Sequence, residues 1–458
     1  MVETVNEVVV ENKRRKFFLL FLPIFAEVLL LMLAGMVDSL MVSRISDKAV
    51  GAVGTANTYF GMLFLLFAVV SNGLLAVMSQ YIGAGKKGIA FQARQLAILF
   101  NAGLGALFSL AVGLGANWIV DVLGVSEALR RETAIYLRIV GAGCFFDALI
   151  PVFSSYLRAF DKTKYSLISA GTGNLVNLGL DVLFIFGCGW GITGAAIATI
   201  IGKAVILLMC LGFGHFLIHG LQYKERTSRK LLIKQIVRIG LPSAVEAAGY
   251  SISMAVVMTL LNRMDPNGFN ASVRSYAFQI TNFSYCTAFA LAQTNVIISG
   301  WNIGKGKLKD CYPSTYKASL IGIGVGAFVE LMFAVTSFGY LGSVTSDPKL
   351  ASAIRVVLFI DIALEVGRAA NLVYGNTLKS TGDSIFPMCF SVPTTFLCAI
   401  GGAYLFGMVC NMGVAGAYIG LALDECVRAI IMFVRWRSGK WEKKVIIKNG
   451  QKEDVESK

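Results

Sequence analysis

The feature that most constrains this chain is a series of long apolar segments that recurs from one end to the other. A helix rises about 1.5 Å per residue, so an apolar run of roughly 20 residues can cross a hydrocarbon core about 30 Å thick. With 56% hydrophobic and 15% charged residues, the chain is too apolar for an ordinary soluble enzyme. We predict an all-α polytopic membrane protein with twelve transmembrane helices, at residues 17–41, 52–78, 95–117, 133–157, 166–187, 191–216, 239–261, 273–298, 315–343, 351–378, 386–408 and 411–436.

Lysine and arginine gather in the predicted loops on one side of the membrane. The largest groups are the N-terminal run 13–16, the segment 224–238 and the tail after Arg435. By the positive-inside rule this side is cytoplasmic, so both termini are expected there. The net charge of +14 then reflects topology and attraction to anionic lipid. Because the basic residues are dispersed over loops and ends, we expect no nucleic-acid partner.

The second half of the chain repeats the first at a nearly fixed offset. Pro23 and Glu27 recur with the same spacing as Pro242 and Glu246. Further matches, in the same order and at nearly the same offset, are Arg44 with Arg263, Leu157-Arg158 with Leu378-Lys379, Gly191 with Gly413, and Gly194-Ala195 with Gly416-Ala417. Six spans per half is an even number, so both halves enter the membrane from the same side as parallel repeats, an arrangement typical of secondary transporters.

The repeat sets the expected domain boundaries. They are an N-terminal cytoplasmic tail (1–16), an N-terminal lobe of six helices (17–216), a cytoplasmic linker (217–238), a C-terminal lobe of six helices (239–436) and a C-terminal cytoplasmic tail (437–458). Part of the linker is expected to form an amphipathic surface helix.

Four polar residues of the first half have apolar counterparts in the second. They are Asp38, Asn177, Asp181 and Thr199, which correspond to Val257, Cys398 or Ala399, Gly402 or Ala403, and Leu421. A shared structural role would have kept these residues in both halves, so we predict a site that belongs to the N-terminal lobe. Two carboxylates that lie close together inside a membrane must share a proton or surround a cation. Carboxylate, amide and hydroxyl oxygens suit Na⁺, and the same carboxylates suit H⁺.

Other charged residues inside the predicted spans are weaker candidates. Glu27 and Glu246 occupy equivalent positions, which indicates a shared structural or gating role, although a substrate or proton role stays open. In span ten, Asp361 and Glu365 are further acids, and Glu365 can pair with Arg368 one turn later. Additional buried-charge candidates are Asp147, Lys203, Glu330 and Glu425.

No cofactor, disulfide framework or transition-metal site is predicted. Most of the nine cysteines lie within predicted spans, where a free thiol packs as a small apolar group. His215 and His219 are four residues apart, but no acid or cysteine lies suitably close in the sequence to complete a metal site.

Six motifs, in order, resemble the multidrug and toxic compound extrusion (MATE) family, in particular its prokaryotic DinF-like branch. They are LPIFAE with MVDSLMV in span one, MSQYIGAGKK after span two, SSYLRAFDKTKYS after span four, NLVNLGLDVLFIFG in span five, GITGAAIAT in span six and NTLKSTGDSIFP after span ten. The resemblance implies two six-helix bundles that form a V in a bacterial or archaeal cell membrane. It also implies alternating access, and it assigns ion binding to Asp38, Asn177, Asp181, Thr199 and the carbonyl of Ala195.

The leading functional hypothesis is a secondary active efflux transporter that exchanges H⁺ or Na⁺ for small organic, often cationic, compounds. We expect it to work as a monomer among membrane lipids. A lipid-linked oligosaccharide flippase of the same superfamily is the alternative; it should line its cavity with basic residues, of which the spans contain few, chiefly Lys203 and Arg368. An integral membrane enzyme is the less favoured class, because neither a metal motif nor a nucleophile with its base is present.

Overall fold

The computed structural model describes residues 2–122, 125, 127–218, 225–265, 268–345 and 347–447, and within them it contains helices and no strand. The chain divides into two compact units between Gly240 and Leu241. The first unit contains α1 (Val2–Ser43), α2 (Asp47–Gly83), α3 (Lys87–Val122), α4 (Glu127–Ala142), α5 (Cys144–Ala159), α6 (Thr163–Asp181) and α7 (Gly191–Ile218). Helix α8 (Arg229–Met264) crosses the boundary, and the second unit continues with α9 (Phe269–Gly304), α10 (Cys311–Val344), α11 (Pro348–Thr381), α12 (Ile385–Thr394) and α13 (Gly413–Arg437).

The helices confirm the prediction of an all-α polytopic membrane protein with twelve passes. By length and apolar composition, eight helical segments of the described chain can cross a membrane, and α4 with α5 makes a ninth as one bent pair. The other three passes, α9, α11 and α13, are 36, 34 and 25 residues long but less apolar. Helices α11 and α13 contain most of the buried charged residues of the second unit, and the buried polar residues of α9 are serine, threonine and asparagine, so composition alone does not identify these passes.

Helix α4 and helix α5 form the predicted span 133–157, but this span is broken rather than straight. The two helices meet at Gly143 with a bend of 46°. There the Gly143 N–H donates to the carbonyl of Val140, three residues back, instead of continuing the α-helical pattern. A Cβ at Gly143 would stand 3.0 Å from Ile200 of α7, so the glycine also allows α7 to approach the bend. The equivalent helix of the second unit, α11, is continuous.

The repeat extends to individual backbone hydrogen bonds. After α6 the chain widens into a π-helical turn at Val182–Gly187, and after α12 it does so twice, at Thr395–Ile400 and at Ala403–Val409. Matching bonds then lead into α7 and α13: Cys188 and Trp190 donate to Leu183 and Phe184, and Cys410 and Met412 donate to Leu405 and Phe406. The two sets of bonds occupy equivalent positions of the repeat. Because the second copy lacks an aspartate at this point, the π-helical turn is a property of the repeat and is not by itself a sign of an ion site.

Candidate functional site

Helices α6 and α7 approach closely at two points on either side of the candidate residues. At one point a Cβ on Gly202 would stand 2.7 Å from the Cβ of Asn177, and at the other a Cβ on Gly194 would stand 2.8 Å from that of Phe184. Small residues at such crossings allow helix backbones to come together inside a membrane. Asp181 lies between the two points on α6, so the glycines fix the spacing of the polar residues between them.

Asn177 and Asp181 face each other on α6, one turn apart, as the sequence predicts. The Asn177 Nδ2 donates to the Asp181 Oδ2 over 3.1 Å, and both side chains are buried. This bond leaves the Asn177 Oδ1 as a further acceptor. The Asp181 Oδ1 is buried and has no hydrogen-bond partner among the described residues. The site therefore contains a carboxylate oxygen that lacks a donor or a cation.

Helix α7 contributes Thr199 and Ala195, which are bonded to each other. The Thr199 hydroxyl donates to the Ala195 carbonyl over 2.9 Å. A carbonyl oxygen has a second lone pair, so this bond does not exhaust the acceptor capacity of Ala195. The structure thus brings the two residues together, with the threonine oxygen still able to accept a hydrogen bond or contact a cation.

Helix α1 brings Asp38 to the same place. Helix α1 packs along α6, and Asp38 and Asp181 lie within electrostatic range of each other. All five residues predicted for the N-terminal ion site are therefore gathered by three helices. Sequence alone indicated their approximate depth, and the packing of α1 against α6 shows that Asp38 and Asp181 lie on neighbouring helices.

Tyr136 of α4 is a sixth member of this site, and the sequence analysis missed it. Its side chain is 6% exposed, lies near Thr199, and is within electrostatic range of Asp38 and Asp181. The asymmetry of the repeat contains the signal that could have found it, since Tyr136 corresponds to Val357 when the second half is laid over the first. Tyr136, Thr199, Asn177 and the two aspartates together form an oxygen-rich site between α1, α4, α6 and α7.

This site has the chemistry to hold either a proton or Na⁺. Two carboxylates in a low-dielectric setting repel each other unless one is protonated or a cation lies between them. The available donors for a cation are the aspartate oxygens, the Asn177 amide oxygen, the Thr199 hydroxyl and the Ala195 carbonyl, and hard cations prefer oxygen ligands. The unpartnered Asp181 Oδ1 fits either occupant.

Glu27 and Glu246 take part in equivalent ion pairs at equivalent positions. Glu27 accepts from Arg158 over 2.8 Å, and Glu246 accepts from Lys379 over 3.1 Å. Glu27 also accepts from the Ser166 hydroxyl over 3.0 Å. In each unit the pair ties the first helix of the repeat to the end of the fourth pass, so neither glutamate joins the site around Asp181.

A second ion pair recurs with its charges exchanged. In the first unit Lys203 of α7 pairs with Asp147 of α5 over 2.8 Å. The equivalent positions in the second unit are Glu425 of α13 and Arg368 of α11, whose closest charged atoms are 3.6 Å apart. The two helices are thus joined by an ion pair in both units, but the basic residue lies on the sixth pass in one and on the fourth in the other.

Arg368 and Arg428 are the centres of a buried network in the second unit. Arg368 pairs with Glu365, as its spacing predicts. Arg428 forms two hydrogen bonds with Asp424, of 3.0 and 2.7 Å, and also pairs with Glu425 over 2.8 Å. Every basic group in this network therefore has at least one carboxylate partner.

Two acids next to this network form no ion pair with a basic residue in the described part of the chain. Glu330 is completely buried, and neither of its carboxylate oxygens has a hydrogen-bond partner among the described residues. Asp361 is 2% exposed, and its Oδ2 is likewise unpartnered. Glu330 lies within electrostatic range of Asp361, Glu365 and Arg368, so in this group three carboxylates share one cation. An isolated buried carboxylate is costly in its ionised form, so these acids cannot all be ionised together.

A cavity of about 440 Å³ opens beside the network, lined entirely by the second unit. Its polar lining includes Glu246, Tyr250, Tyr285, Arg368, Asn371, Lys379, Glu425 and Arg428. The three basic residues in this lining are all paired with carboxylates. The cavity is large enough for part of a small organic molecule, and its wall offers aromatic and amide groups together with compensated charges.

Among the described residues, no group of three or more histidine, cysteine, aspartate or glutamate side chains comes together in a way that could hold a metal ion. His219, which the sequence places four residues after His215, lies outside the described residues.

Comparison with known proteins gives concordant matches over most of the chain. The MatE family profile matches residues 23–183 and 242–405, one region in each repeat. A Bacillus subtilis protein named "Uncharacterized transporter YisQ" is 29% identical over 94% of this chain and 96% of its own length. A Thermotoga maritima protein named "Probable multidrug resistance protein NorM" is 25% identical over 95% and 94% of the two chains. Among solved structures, a MOP superfamily transporter from Pyrococcus furiosus has the same fold, with a TM-score of 0.81 at 21% identity over 92% and 95% of the two chains.

Proposed function

The chain belongs to the MatE family of membrane transporters, and from this premise we propose that it is an ion-coupled efflux antiporter. It is an integral membrane protein with relatives that are transporters. In the proposed activity, H⁺ or Na⁺ enters while a small organic compound, often a cation, leaves. The protein acts as a monomer and catalyses no chemical reaction.

The unpartnered Asp181 Oδ1 is the observation that carries this proposal. It is buried beside a second carboxylate, Asp38, inside membrane-spanning helices. Acids in this position are costly unless they bind a proton or a cation. Binding such an ion removes the repulsion between Asp38 and Asp181 and lets α1 and α6 pack more tightly. Release of the ion restores the repulsion, so the occupancy of the site can favour one orientation of the helices over another.

Exchange requires that ion and substrate prefer different conformations. A ligand shifts a conformational equilibrium only by its difference in affinity between the two states. In the proposed cycle, the ion at Asp38 and Asp181 favours the state that releases substrate, and the ion-free site favours the state that takes up substrate. The two aspartates hold or release the ion, while Asn177, Thr199 and Tyr136 orient them.

The second unit contributes to the proposed transport through its cavity and its buried acids. Around the cavity, the carboxylates of Glu246, Glu365, Asp424 and Glu425 outnumber the basic residues Arg368, Lys379 and Arg428. Asp361 is a further buried acid nearby, whereas Glu330, whose carboxylate oxygens have no partner among the described residues, is expected to be neutral and adds no charge. This balance favours a cationic compound over an anionic one, and it makes Asp361 and Glu365 secondary sites for a proton.

The flippase alternative has one observation in its favour, which is that three basic residues line the cavity. A pyrophosphate would need cations that are free to bind it. Here Arg368, Lys379 and Arg428 each have a carboxylate partner, so binding a pyrophosphate would leave buried acids without a cation. The efflux function is therefore the one we propose.

We place the protein in the cell membrane of a bacterium or archaeon, with both termini in the cytoplasm. The support is the concentration of lysine and arginine at one end of the helices, as in the run 13–16 and at Lys86, Arg158 and Lys164. We call this end of each unit the basic end.

Transport in proteoliposomes tests the function directly. The purified full-length chain is reconstituted, and the movement of a cationic dye is followed under an imposed H⁺ or Na⁺ gradient. We expect Asp38→Asn and Asp181→Asn each to lower gradient-driven transport by about tenfold or more, a size typical of the loss of coupling between two sites. Asp121→Asn, which alters an exposed aspartate paired with Arg130, is the matched control and should transport normally.

The result that would refute the mechanism is unchanged gradient-driven transport by Asp38→Asn. To separate the two ions, the melting temperature of purified protein is titrated with Na⁺ at fixed pH and constant ionic strength. A stabilisation by Na⁺ that is lost in Asp181→Asn indicates a sodium site, whereas no stabilisation at any Na⁺ concentration leaves H⁺ as the coupling ion.

A further inference from the structure

Arg94 of α3 is a partly buried cation whose surroundings are aromatic. Its guanidinium lies 4.3 Å from the ring centre of Tyr156 and 5.2 Å from those of Phe91 and Phe153. The Arg94 Nε is buried and has no partner in the described part of the chain. Aromatic rings attract a cation but do not neutralise its charge.

No carboxylate of the described residues forms an ion pair with Arg94, which sets it apart from other buried basic residues of the same unit. Arg158 pairs with Glu27, and Lys203 pairs with Asp147. A charge at the edge of a membrane-spanning segment without a counter-ion is unfavourable unless an anion from outside the chain compensates it. Arg94 therefore lacks, within the described structure, the partner that its burial calls for.

A groove of about 410 Å³ leads to Arg94 between α3, α5 and α7, and we call it the Arg94 groove. Its rim on α7 is apolar and open, since Phe216 is 81% and Leu211 36% exposed. His215 lies beside them as a second group able to donate a hydrogen bond. The remaining lining residues are Phe91, Tyr156, Gly212 and Gly214.

The groove lies near the basic end of the first unit. Arg94 is seven residues into α3, or about 10 Å along the helix, and His215 is three residues before the end of α7. Hence the groove spans the depth at which lipid headgroups meet the hydrocarbon. A positive charge at its inner end and exposed apolar side chains at its rim match a molecule with an anionic head and a hydrocarbon tail.

We propose that the Arg94 groove binds one anionic phospholipid, with the phosphate on Arg94 and an acyl chain along Leu211 and Phe216. The lipid supplies the counter-ion that the described chain does not provide for Arg94. A free phosphate ion would leave the apolar rim without a partner, and a zwitterionic lipid would bring a compensating cation. An anionic phospholipid provides both a negative charge for Arg94 and a hydrocarbon chain for the apolar rim.

Gly212 allows a test that leaves Arg94 and its aromatic neighbours in place. No atom lies within 4 Å of a Cβ built at this glycine, although the glycine lines the groove. Gly212→Leu should therefore fill the groove without a clash and without weakening α7, because leucine favours a helix more than glycine does. Gly103→Leu is the matched control, since Gly103 of α3 is equally open but does not line the groove.

The experiment is native mass spectrometry of the full-length protein in detergent, titrated with phosphatidylglycerol, phosphatidylcholine or inorganic phosphate. We expect one phosphatidylglycerol to be retained more tightly than phosphatidylcholine. Arg94→Gln and Gly212→Leu should each weaken that retention by about fivefold or more, the factor for one arginine near an anionic lipid surface. Gly103→Leu and Lys164→Gln, which removes an exposed cation of the same end, should retain it.

Three outcomes would overturn the proposal. The first is that Gly212→Leu retains phosphatidylglycerol as tightly as the parent protein does. The second is that Lys164→Gln weakens this retention as much as Arg94→Gln does. The third is that millimolar inorganic phosphate displaces the lipid. Because the readout is lipid binding, the result does not depend on whether Asp38 couples an ion to transport. Loss of binding in Gly212→Leu alone still supports the proposal if Arg94→Gln fails to fold.

Discussion

Glu330 and Glu365 show how two carboxylates with the same burial can have opposite electrostatic roles. Both are completely buried and lie on neighbouring helices, α10 and α11. Glu365 pairs with Arg368, whereas neither oxygen of Glu330 has a partner among the described residues. A buried acid without a partner is more stable in its neutral form. Glu330 should thus carry a proton where Glu365 carries a charge.

The same substitution at the two positions should have different effects on stability. Glu330→Gln replaces a neutral carboxyl with a neutral amide of the same shape, so we expect the melting temperature of the purified protein to change by at most about 2 °C. Glu365→Gln removes a carboxylate that pairs with Arg368. We therefore expect the free energy of unfolding to fall by about 3 kcal/mol, as for a broken buried ion pair. Thermal unfolding in one detergent measures both. Equal destabilisation by the two variants would show that Glu330 is ionised in the folded protein.

At this scale the sequence predicts pairs within a helix better than contacts between helices. The spacing of Glu365 and Arg368 predicts their ion pair, and the structure contains it. Tyr136 was missed because its approach to the site depends on how α4 is rotated toward α7. Rotation is set by packing, and hydropathy contains little information about it. In the sequence, it is the comparison of the two repeats that identifies Tyr136 as a candidate, because its counterpart is the apolar Val357.

Between elements, the crossing of α6 and α7 determines whether the residues of the ion site can meet. Gly173 and Gly202 face each other there, and a Cβ on Gly173 would stand 2.7 Å from the carbonyl oxygen of Gly202. Asn177 packs directly against Gly202, so the amide that bonds Asp181 is held by the helix crossing itself. Any widening of this crossing should move Asn177 away from its position over α7.

A single methyl group at the crossing should therefore impair the site. We expect Gly202→Ala to lower stability by about 1 to 3 kcal/mol, the usual effect of overpacking, and to reduce gradient-driven dye transport. Gly179→Ala is the matched control on α6, because no atom lies within 4 Å of a Cβ there. It should be neutral or slightly stabilising, since alanine favours a helix more than glycine does. Equal effects of the two substitutions on melting temperature and transport would contradict this role of the crossing.

Hydropathy predicts which segments are helical passes more reliably than it predicts their shape. The first predicted span, 17–41, lies within a helix that runs from Val2 to Ser43. Apolar composition identifies the part of a helix that lies in hydrocarbon, but it does not identify the turns that extend into water. The bend between α4 and α5 was not predicted, because a glycine in an apolar run is compatible with both straight and bent helices. Only the approach of Ile200 to Gly143 distinguishes the two cases.

For the whole molecule, the duplication gives an internal reference that separates fold from function. Features present in both units, such as the Glu27 and Glu246 ion pairs, belong to the repeat. Features present in one unit, such as the aspartate before the π-helical turn, are candidates for a specific activity. Asp147 with Lys203 and Arg368 with Glu425 form a third class, in which the contact is kept and the charges are exchanged. The third class implies that the fold requires an ion pair at this place and accepts either orientation.

Exchanging the charges in the first unit tests that implication. Asp147→Lys alone places two cations together, and Lys203→Asp alone places two anions together. We expect the free energy of unfolding of each single variant to be about 3 to 5 kcal/mol lower, as when a buried ion pair is broken and leaves an uncompensated charge. The double variant restores an ion pair in the orientation found in the second unit, so it should recover most of that loss. A double-mutant cycle on melting temperatures gives the coupling energy between the two positions.

The exposed pair of Asp121 and Arg130 provides the control for the exchange, since its side chains are 47% and 45% exposed. Exchanging these two charges should change stability by about 1 kcal/mol or less, singly or together, because water screens surface ion pairs. Recovery in the Asp147 and Lys203 double variant but negligible coupling in the exposed pair would establish that the first unit needs an ion pair at this place and accepts either orientation of its charges. If the double variant were as unstable as the single variants, the residues around the pair would fix which position carries the positive charge. The exchange of charges would then be a specific difference between the two repeats.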